Sequence, residues 1–170
     1  MNRRSILGFP AILVSILALH PCSARSQPMT LEHRLVGTWT LVSFDSFDAV
    51  GIKVPNIEGS DPQGLLIITD NGRFSVQIIA SYPKVASNDR LKTTPAEDMA
   101  VAHGALSYFG KYTVVEPDKL IYLIERSVFQ NQVTGFSTDR IVTVNGDELK
   151  IENARRTAGG RTSTVWQRIK

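Results

Sequence analysis

The 170-residue sequence has little cysteine, little histidine and no long hydrophobic run after its first twenty residues. Cys22 is its one cysteine, so no disulfide can form within the chain. The three histidines are scattered and show no metal-ligand spacing, and no glycine-rich phosphate loop is present. The later apolar runs are too short for a membrane-spanning helix. Stability must therefore come from packing, and no metal or other cofactor is expected.

The N-terminus predicts an export signal over residues 1–24. Arg3 and Arg4 form a positive start, Ile6 to Leu19 form an apolar run of 14 residues, and small residues end at Ala24. Fourteen residues are short for a bilayer, so cleavage is favoured over a permanent anchor. The arginine pair fits a general secretory or a twin-arginine route, and both stay open. The mature protein is expected in the periplasm or secreted.

Removal of the signal leaves a short lead, residues 25–34, and one domain, residues 35–170. The signal contains two of the 19 basic residues, so the mature chain has 17 basic and 16 acidic residues. Its formal charge is +1, compared with +3 for the whole chain. Nucleic acid is therefore not an expected partner, since phosphate binding needs a concentrated basic face. Three arginines lie near a glycine pair, and we interpret them as solvent-exposed charges of a turn: Arg155, Arg156 and Arg161. The oligomeric state is left open.

The mature chain reads as short strands separated by turn residues. Asp70-Asn71-Gly72 and Asn145-Gly146-Asp147 tolerate positive φ and predict tight hairpins, which join antiparallel neighbours. Strands in sequence order with short links favour an up-and-down meander that closes to hide its edges. The eight predicted strands are 37–44, 64–69, 73–80, 105–115, 119–128, 137–144, 148–153 and 161–169.

Two segments interrupt this meander. Residues 45–63 predict a long first loop, placed where a barrel carries a lid over its open end. Residues 81–104 contain one helix, since Thr94 and Glu97 form a capping box, Pro95 fits the first turn and Gly104 can end it. The helix either closes one mouth or packs outside. The predicted fold is all-β: an eight-stranded antiparallel up-and-down barrel with one short helix between strands 3 and 4.

The first strand carries Gly37 and Trp39 in the run Leu35 to Phe44. Glycine lets the chain bend tightly, and an indole two residues later can plug the closed end of a barrel. This run resembles the bacterial and fungal lipocalin-like domain family, as do four further segments in the same order: Asp61 to Ile67, Asp70 to Gln77, Tyr108 to Val114 and Thr164 to Arg168. The resemblance covers nearly the whole mature chain.

The resemblance implies an eight-stranded barrel with a central cavity, in a family whose biochemical roles are largely unassigned. In lipocalins the early tryptophan packs against an arginine from a late strand, so Trp39 and Arg168 are expected to form that structural pair. The fifth strand of the family often carries histidine, whereas Tyr122 and Leu123 stand here. Phe129 to Val133 also replaces a segment that often carries proline and tryptophan. We therefore do not expect this chain to share any reaction that depends on a histidine in other members of the family.

Alternation along the strands predicts which side chains face the cavity. Tyr108, Gly110, Tyr112 and Val114 share one face, and Lys111 on the other face prefers solvent, so the tyrosines are predicted to point inward. Leu120, Tyr122, Ile124 and Arg126 share a face on the next strand, where neither side is clearly polar. Thr138, Arg140, Val142 and Val144 share a face on the sixth strand. The predicted ligand-binding residues are Tyr108, Tyr112, Tyr122, Arg140, Phe74 and Val76.

These residues have alternative interpretations. A tyrosine in a barrel either contacts a ligand or fills the core with its hydroxyl at the rim. Arg140 either points inward, where it must be paired and could bind a carboxylate or enol oxygen, or bridges Asp139 or Glu125 on the surface.

No catalytic group is predicted, because His33 precedes the barrel and His103 lies at the helix end without acid or nucleophile spacing around it. Three hypotheses remain. The first is an exported protein that binds a small, mostly apolar molecule in the barrel. The second is a cofactor-free isomerase or cyclase, in which tyrosine and arginine polarise an oxygen. The third is a structural or interaction module with a filled interior.

Overall fold

The computed structural model describes residues 29–56, 59–81, 85–89, 91–129, 137–154 and 159–170. These residues form two helices and nine strands in one sheet. The elements are α1 (Leu31–Leu35), β1 (Gly37–Phe47), β2 (Lys53–Val54), β3 (Gln63–Ile68), β4 (Arg73–Ile79), α2 (Pro95–Gly104), β5 (Ala105–Val115), β6 (Lys119–Ser127), β7 (Ser137–Asn145), β8 (Glu148–Asn153) and β9 (Arg161–Arg168).

The sheet closes into an antiparallel eight-stranded barrel. Strands β3 to β9 pair in sequence order, and β1 pairs with both β3 and β9. Strand β2 adds two residues at the end of β1. The predicted helix position between the third and fourth strands is not confirmed, because β2 lies within the predicted first loop and α2 follows β4. A second helix, α1, lies in the predicted N-terminal lead.

The turns at one end follow the predicted chemistry. Gly72 and Gly146 adopt φ of +77° and +60°, which L side chains rarely adopt, and they close the β3–β4 and β7–β8 hairpins. Helix α1 lies before β1 at this same end, which we call the closed end. The longer connections, including the one that carries α2, lie at the opposite, open end.

Helix α2 is stabilised locally. Thr94 accepts from the Glu97 amide, and the Glu97 carboxylate accepts from the Thr94 amide at 2.7 Å, as the capping box predicts. These hydrogen bonds hold the pKa of Glu97 below its usual range. Only Gly104 of the helix is buried. Helix α2 therefore contributes no apolar side chain to the barrel core.

A β-bulge sits between β5 and β6, where Phe109 pairs with Arg126 but Gly110 pairs with Ile124. A Cβ on Gly110 would overlap the carbonyl oxygen of Leu123. Gly110→Ala is expected to lower the free energy of unfolding by about 1–3 kcal/mol, because backbone must move. Urea denaturation measures this. Thr113→Ala, at an exposed position of the same strand, is the control for a change to alanine within β5. Equal losses in both variants would contradict the steric argument.

Several predicted features lie outside the described residues: the signal over residues 1–24, the Arg155 and Arg156 charges, and most of the segment from Phe129 to Val133. Within the described part, neither helix has the length and apolar character needed to cross a bilayer.

Candidate functional site

The six predicted ligand-binding residues are all buried on the inner face of the barrel. Alternation from β4 to β7 places them there, with polar or exposed residues between them. Arg140 is 7% exposed and Tyr122 is 2% exposed; the others are Phe74, Val76, Tyr108 and Tyr112. Their role in ligand binding stays a prediction.

Strand β6 departs from the predicted alternation at its end. Leu120, Tyr122 and Ile124 are buried, but Arg126 is exposed and Ser127 is buried instead. The bulge at Glu125 inserts one residue and so reverses the facing of everything after it. The prediction that Arg126 shares the face of Tyr122 is therefore wrong, and Ser127 occupies the inner face.

Three aromatic rings meet across the middle of the barrel. Phe74 stacks on Tyr122 with ring centroids 3.9 Å apart and an angle of 10° between the ring planes. Tyr108 contacts both rings edge-on, at 5.8 Å from Phe74 and 6.5 Å from Tyr122. We call these three residues the aromatic cluster, and we call the parts of the interior nearer the closed and the open end the closed half and the open half.

The closed half is mostly apolar and packs against α1. Trp39 is fully buried, and its indole N–H donates to the carbonyl oxygen of Leu35 in α1 at 3.0 Å. The Arg168 guanidinium lies 4.0 Å from the centre of the Trp39 ring and donates to the carbonyl oxygens of Arg34 and Val36. Gly37 leaves room for it, since a Cβ there would overlap the guanidinium. Trp39, Arg168 and Gly37 thus join α1 to the barrel.

Tyr112 belongs to this closed half. Its hydroxyl donates to the carbonyl oxygen of Thr69 at 2.7 Å, beside the β3–β4 turn. Partial burial raises the pKa of Tyr112, with Glu32 and Asp70 adding to the effect. The hydroxyl is therefore engaged in holding the turn, at the end away from Arg140.

The open half contains the buried polar groups of the described part. The buried apolar residues span both halves, but every buried polar or charged residue described lies in the part of its strand near the open end. These are Ser46, Ser127, Arg140, Ser163 and Thr164. The interior therefore changes from mostly apolar at the closed end to mixed at the open end.

Arg140 is the charged group of this half. Its Nη1 donates to the Asp139 carbonyl oxygen and to Asn153 Oδ1, both at 3.1 Å, and its guanidinium lies 5.5 Å from the centre of the Tyr122 ring. No carboxylate of a described residue lies within 4 Å of it. The surface alternative is wrong, because Glu125 pairs with Arg73 at 2.6 Å and the Asp139 carboxylate is 3.7 Å from Lys119.

Two buried hydroxyls have no hydrogen-bond partner among the described residues. They belong to Tyr122, whose ring contacts the Arg140 guanidinium, and to Thr138, which pairs with Tyr122 and precedes Arg140 by two residues on β7. Burial raises the pKa of Tyr122, the Tyr108 ring adds to this, and the Arg140 charge opposes it. The phenol is therefore neutral over the physiological pH range and available as a donor.

The sequence also matches a known family over most of its length. The family model described as a lipocalin-like domain matches residues 36–169. The chain belongs to the lipocalin-like domain family. No functionally curated protein matches it.

Among solved structures, this lipocalin-like chain is similar to a redesigned β-barrel, with 15% identity, a TM-score of 0.43, and coverage of 84% of this chain and 100% of the other. It is also similar to a point mutant of the fluorescent protein UnaG, with 17% identity, a TM-score of 0.39, and coverage of 81% and 97%.

Sequence reasoning missed five polar residues of this lipocalin-like barrel: Ser46, Ser127, Asn153, Ser163 and Thr164. Alternation from Trp39 would place Ser46 on the outer face, but the pairing of β1 with β9 is irregular between Leu41 and Ser43, and Phe44 and Ser46 are buried beyond that point. Ser127 is missed because the bulge at Glu125 shifts the alternation along β6. The sequence analysis assigns no inner face to the last two strands. On those strands, Asn153 shares the face of the buried Ile151, and Thr164 shares the face of the buried Trp166.

No catalytic constellation is seen in the described part of the lipocalin-like domain. The Nδ1 of His33 lies 2.8 Å from the Thr30 hydroxyl in the α1 cap, and His103 is exposed at the end of α2. No group of three or more histidine, cysteine, aspartate or glutamate residues in that part is arranged to hold a metal ion.

Proposed function

We propose that this lipocalin-like protein binds a small, mostly apolar molecule in the open half of its barrel, with a negatively charged or oxygen-bearing group of the ligand against Arg140. The observation that carries this proposal is the buried guanidinium without a described carboxylate within 4 Å. A buried charge is costly unless it is paired, and a ligand anion would supply the missing partner.

The surrounding groups suit the two ends of such a ligand. The Tyr122 and Thr138 hydroxyls have no hydrogen-bond partner among the described residues, and the Tyr122 ring lies 5.5 Å from the Arg140 guanidinium. Both hydroxyls can therefore contribute a hydrogen bond to an oxygen-bearing ligand in this half. Phe74 and Tyr108 supply apolar ring surface next to them. A site with apolar walls and a few converging polar groups is typical of small-molecule binding.

A matched pair of probes tests this proposal. Isothermal titration of residues 25–170 with dodecanoate and with dodecanol compares a carboxylate with a neutral hydroxyl on the same alkyl chain. We expect saturable 1:1 binding of dodecanoate and at least tenfold weaker binding of dodecanol, because only the carboxylate neutralises Arg140. Equal affinities, or no binding of either probe, would contradict the proposal.

Native mass spectrometry of protein purified from its own host identifies the natural ligand. We expect a bound species of defined added mass. Unchanged ligand recovered after long incubation would exclude turnover of that compound and so separate binding from the isomerase or cyclase hypothesis.

Tyr122→Phe separates binding from stability. The variant removes one buried hydroxyl without a described partner, so the free energy of unfolding is expected to stay equal or to rise by up to about 1 kcal/mol. Dodecanoate affinity is expected to fall about three- to tenfold. Chemical denaturation and titration measure the two effects. Tyr112→Phe is the matched control, since it loses the hydrogen bond to Thr69 and should lose stability but not affinity.

We also propose that the protein is exported to the periplasm or secreted after cleavage behind Ala24. The positive start, apolar run and small residues of the N-terminus support this. Intact mass of the protein from its own host tests it. Mature protein that begins at Arg25 is the expected result, and a chain that retains residues 1–24 in the cytoplasm would contradict it.

A further inference from the structure

Arg140 uses only one of its guanidinium nitrogens for hydrogen bonds to described residues. Both of its hydrogen bonds start at Nη1, one to the Asp139 carbonyl oxygen and one to Asn153 Oδ1. These two bonds use both hydrogens of Nη1, so the hydrogens of Nη2 and Nε stay open. Both acceptors are neutral oxygens. The described part of the chain therefore orients the guanidinium through one nitrogen and leaves its positive charge unbalanced.

The carboxylates on the strands around Arg140 contact other basic side chains. On β6, β7 and the open-end part of β8 these pairs are Asp139 with Lys119, Glu125 with Arg73, and Glu152 with Lys150 and Arg161. The buried titratable groups nearest to Arg140 on β5 and β6 are Tyr108 and Tyr122, which are phenols and not carboxylates. A counter-ion for Arg140 must therefore come from outside the described part of the chain.

Tyr122 shows how this environment affects a phenol whose oxygen has no contact with the guanidinium. Arg140 lies 5.5 Å from the centre of the Tyr122 ring, and the hydroxyl has no hydrogen-bond partner among the described residues. Burial raises the pKa of Tyr122 by more than the Arg140 charge lowers it. Burial therefore dominates when the charge acts only through the ring.

A ligand phenol in direct contact with Arg140 is expected to behave in the opposite way. Its oxygen would accept hydrogen bonds from Nη2 or Nε and so meet the positive charge at hydrogen-bond distance. Loss of its proton would replace a buried unpaired cation by a neutral, hydrogen-bonded pair, which removes the main cost of burying the charge. The contact therefore favours the ionised form of the ligand.

The walls of the open half suit an aromatic ring. The rings of Phe74, Tyr108 and Tyr122 lie between 3.9 and 6.5 Å from one another. Aromatic rings that pack offset or edge-on gain stabilisation beyond the area that they bury. A ring also loses less rotational freedom on binding than an alkyl chain, so a ring that carries the oxygen is favoured.

We infer that the open half binds phenols in their ionised form and lowers the pKa of the bound phenol by about one unit or more. The phenolate oxygen accepts from Nη2 or Nε of Arg140, and the proton leaves to the solvent. This inference names the ligand class of the site and rests on the proposed function. A shift of one unit means that the phenolate binds about tenfold more tightly than the neutral phenol. The apparent affinity therefore rises with pH between the bound and the free pKa and is constant above the free pKa.

The test uses para-nitrophenol, because only its phenolate absorbs strongly in the visible range. Its absorbance is titrated with pH in buffer and with the purified protein in saturating excess. We expect the midpoint to fall by at least about one pH unit in the presence of the protein. We also expect at least tenfold weaker binding of para-nitroanisole, whose methyl ether cannot ionise. An unchanged or raised midpoint, or no binding of para-nitrophenol, would overturn the inference.

Two variants assign the effect to Arg140. Arg140→Met is expected to abolish the fall of the midpoint, because the charge that stabilises the phenolate is removed. Arg126→Met makes the same change of net charge on the outside of the barrel, where Arg126 is exposed, and should retain the full effect. An equal midpoint in the two variants would overturn the assigned role of Arg140.

Proton release separates this inference from the proposed function. Calorimetry in two buffers of different ionisation enthalpy counts the protons released, at a pH between the bound and free midpoints of para-nitrophenol. We expect release of most of one proton for each para-nitrophenol bound and none for dodecanoate, which is ionised before it binds. Binding of dodecanoate without proton release by para-nitrophenol would overturn this inference alone. Failure of both compounds to bind would contradict the proposed function as well.

Discussion

Trp39→Ala is expected to lower the free energy of unfolding by about 3–5 kcal/mol. Trp39 is 0% exposed and lies between α1 and the closed end of the barrel, so truncation leaves a large cavity. It also leaves the carbonyl oxygen of Leu35 without its donor and removes the ring against which Arg168 packs. Urea denaturation measures the loss, and an unchanged m value confirms that both states expose the same surface.

Two controls separate the components of this loss. Trp39→Phe retains an aromatic ring but not the indole N–H, so we expect a smaller loss of about 1–3 kcal/mol. Val42→Ala truncates an exposed side chain of the same strand and is expected to cost less than about 0.5 kcal/mol. Dodecanoate affinity of the folded Trp39→Ala protein should be unchanged, because Trp39 lies at the closed end of β1 and Arg140 lies in the part of β7 nearer the open end. A loss of stability below about 1.5 kcal/mol would contradict the assigned role of this residue.

Arg140→Met is expected to weaken dodecanoate binding about 10- to 100-fold while leaving dodecanol binding unchanged. Methionine preserves much of the apolar stem but removes the charge and the hydrogen-bond donors. The free energy of unfolding should change by no more than about 1 kcal/mol. Two hydrogen bonds of the guanidinium are lost, but the cost of burying its charge is lost with them. Titration calorimetry with the two probes measures the difference.

Arg126→Met is the matched control for this variant. Arg126 lies on the neighbouring strand β6 but is exposed, and its guanidinium donates only to the Glu125 carbonyl oxygen among the described contacts. The control makes the same change of net charge outside the barrel, so dodecanoate affinity should stay within about twofold of the wild type. Equal losses for both probes in Arg140→Met would indicate altered packing and not loss of a charge partner.

The two variants act at opposite ends of one barrel. Trp39, Arg168 and α1 seal an apolar end whose hydrogen bonds are made within the chain. Arg140, Tyr122 and Thr138 lie where buried polar groups remain unsatisfied among the described residues. Stability and binding are therefore expected to depend on different residues, since packing dominates the first half and electrostatics the second.

Much of the fold could be predicted because its signals are local. Turn residues such as Gly72 and Gly146 require a particular backbone conformation, and the capping box of Thr94 and Glu97 fixes where α2 begins. Alternation of side chains predicts the inner face of a regular strand, so Tyr108 and Tyr112 could be assigned from the sequence. The family resemblance added the expectation that Trp39 and Arg168 would meet, over more than a hundred residues of separation.

The remaining features depend on contacts between distant segments, which no local pattern encodes. The bulge opposite Gly110 reverses the facing of Arg126 and Ser127, and α1 and β2 are short elements without a strong signal of their own. The sequence by itself determined the strands, the turns and the inner face of each regular strand. Only the tertiary structure decided that Arg140 lies inside and that the Tyr122 and Thr138 hydroxyls are buried without described partners. Both depend on the register in which distant strands pair, which closure of the barrel sets.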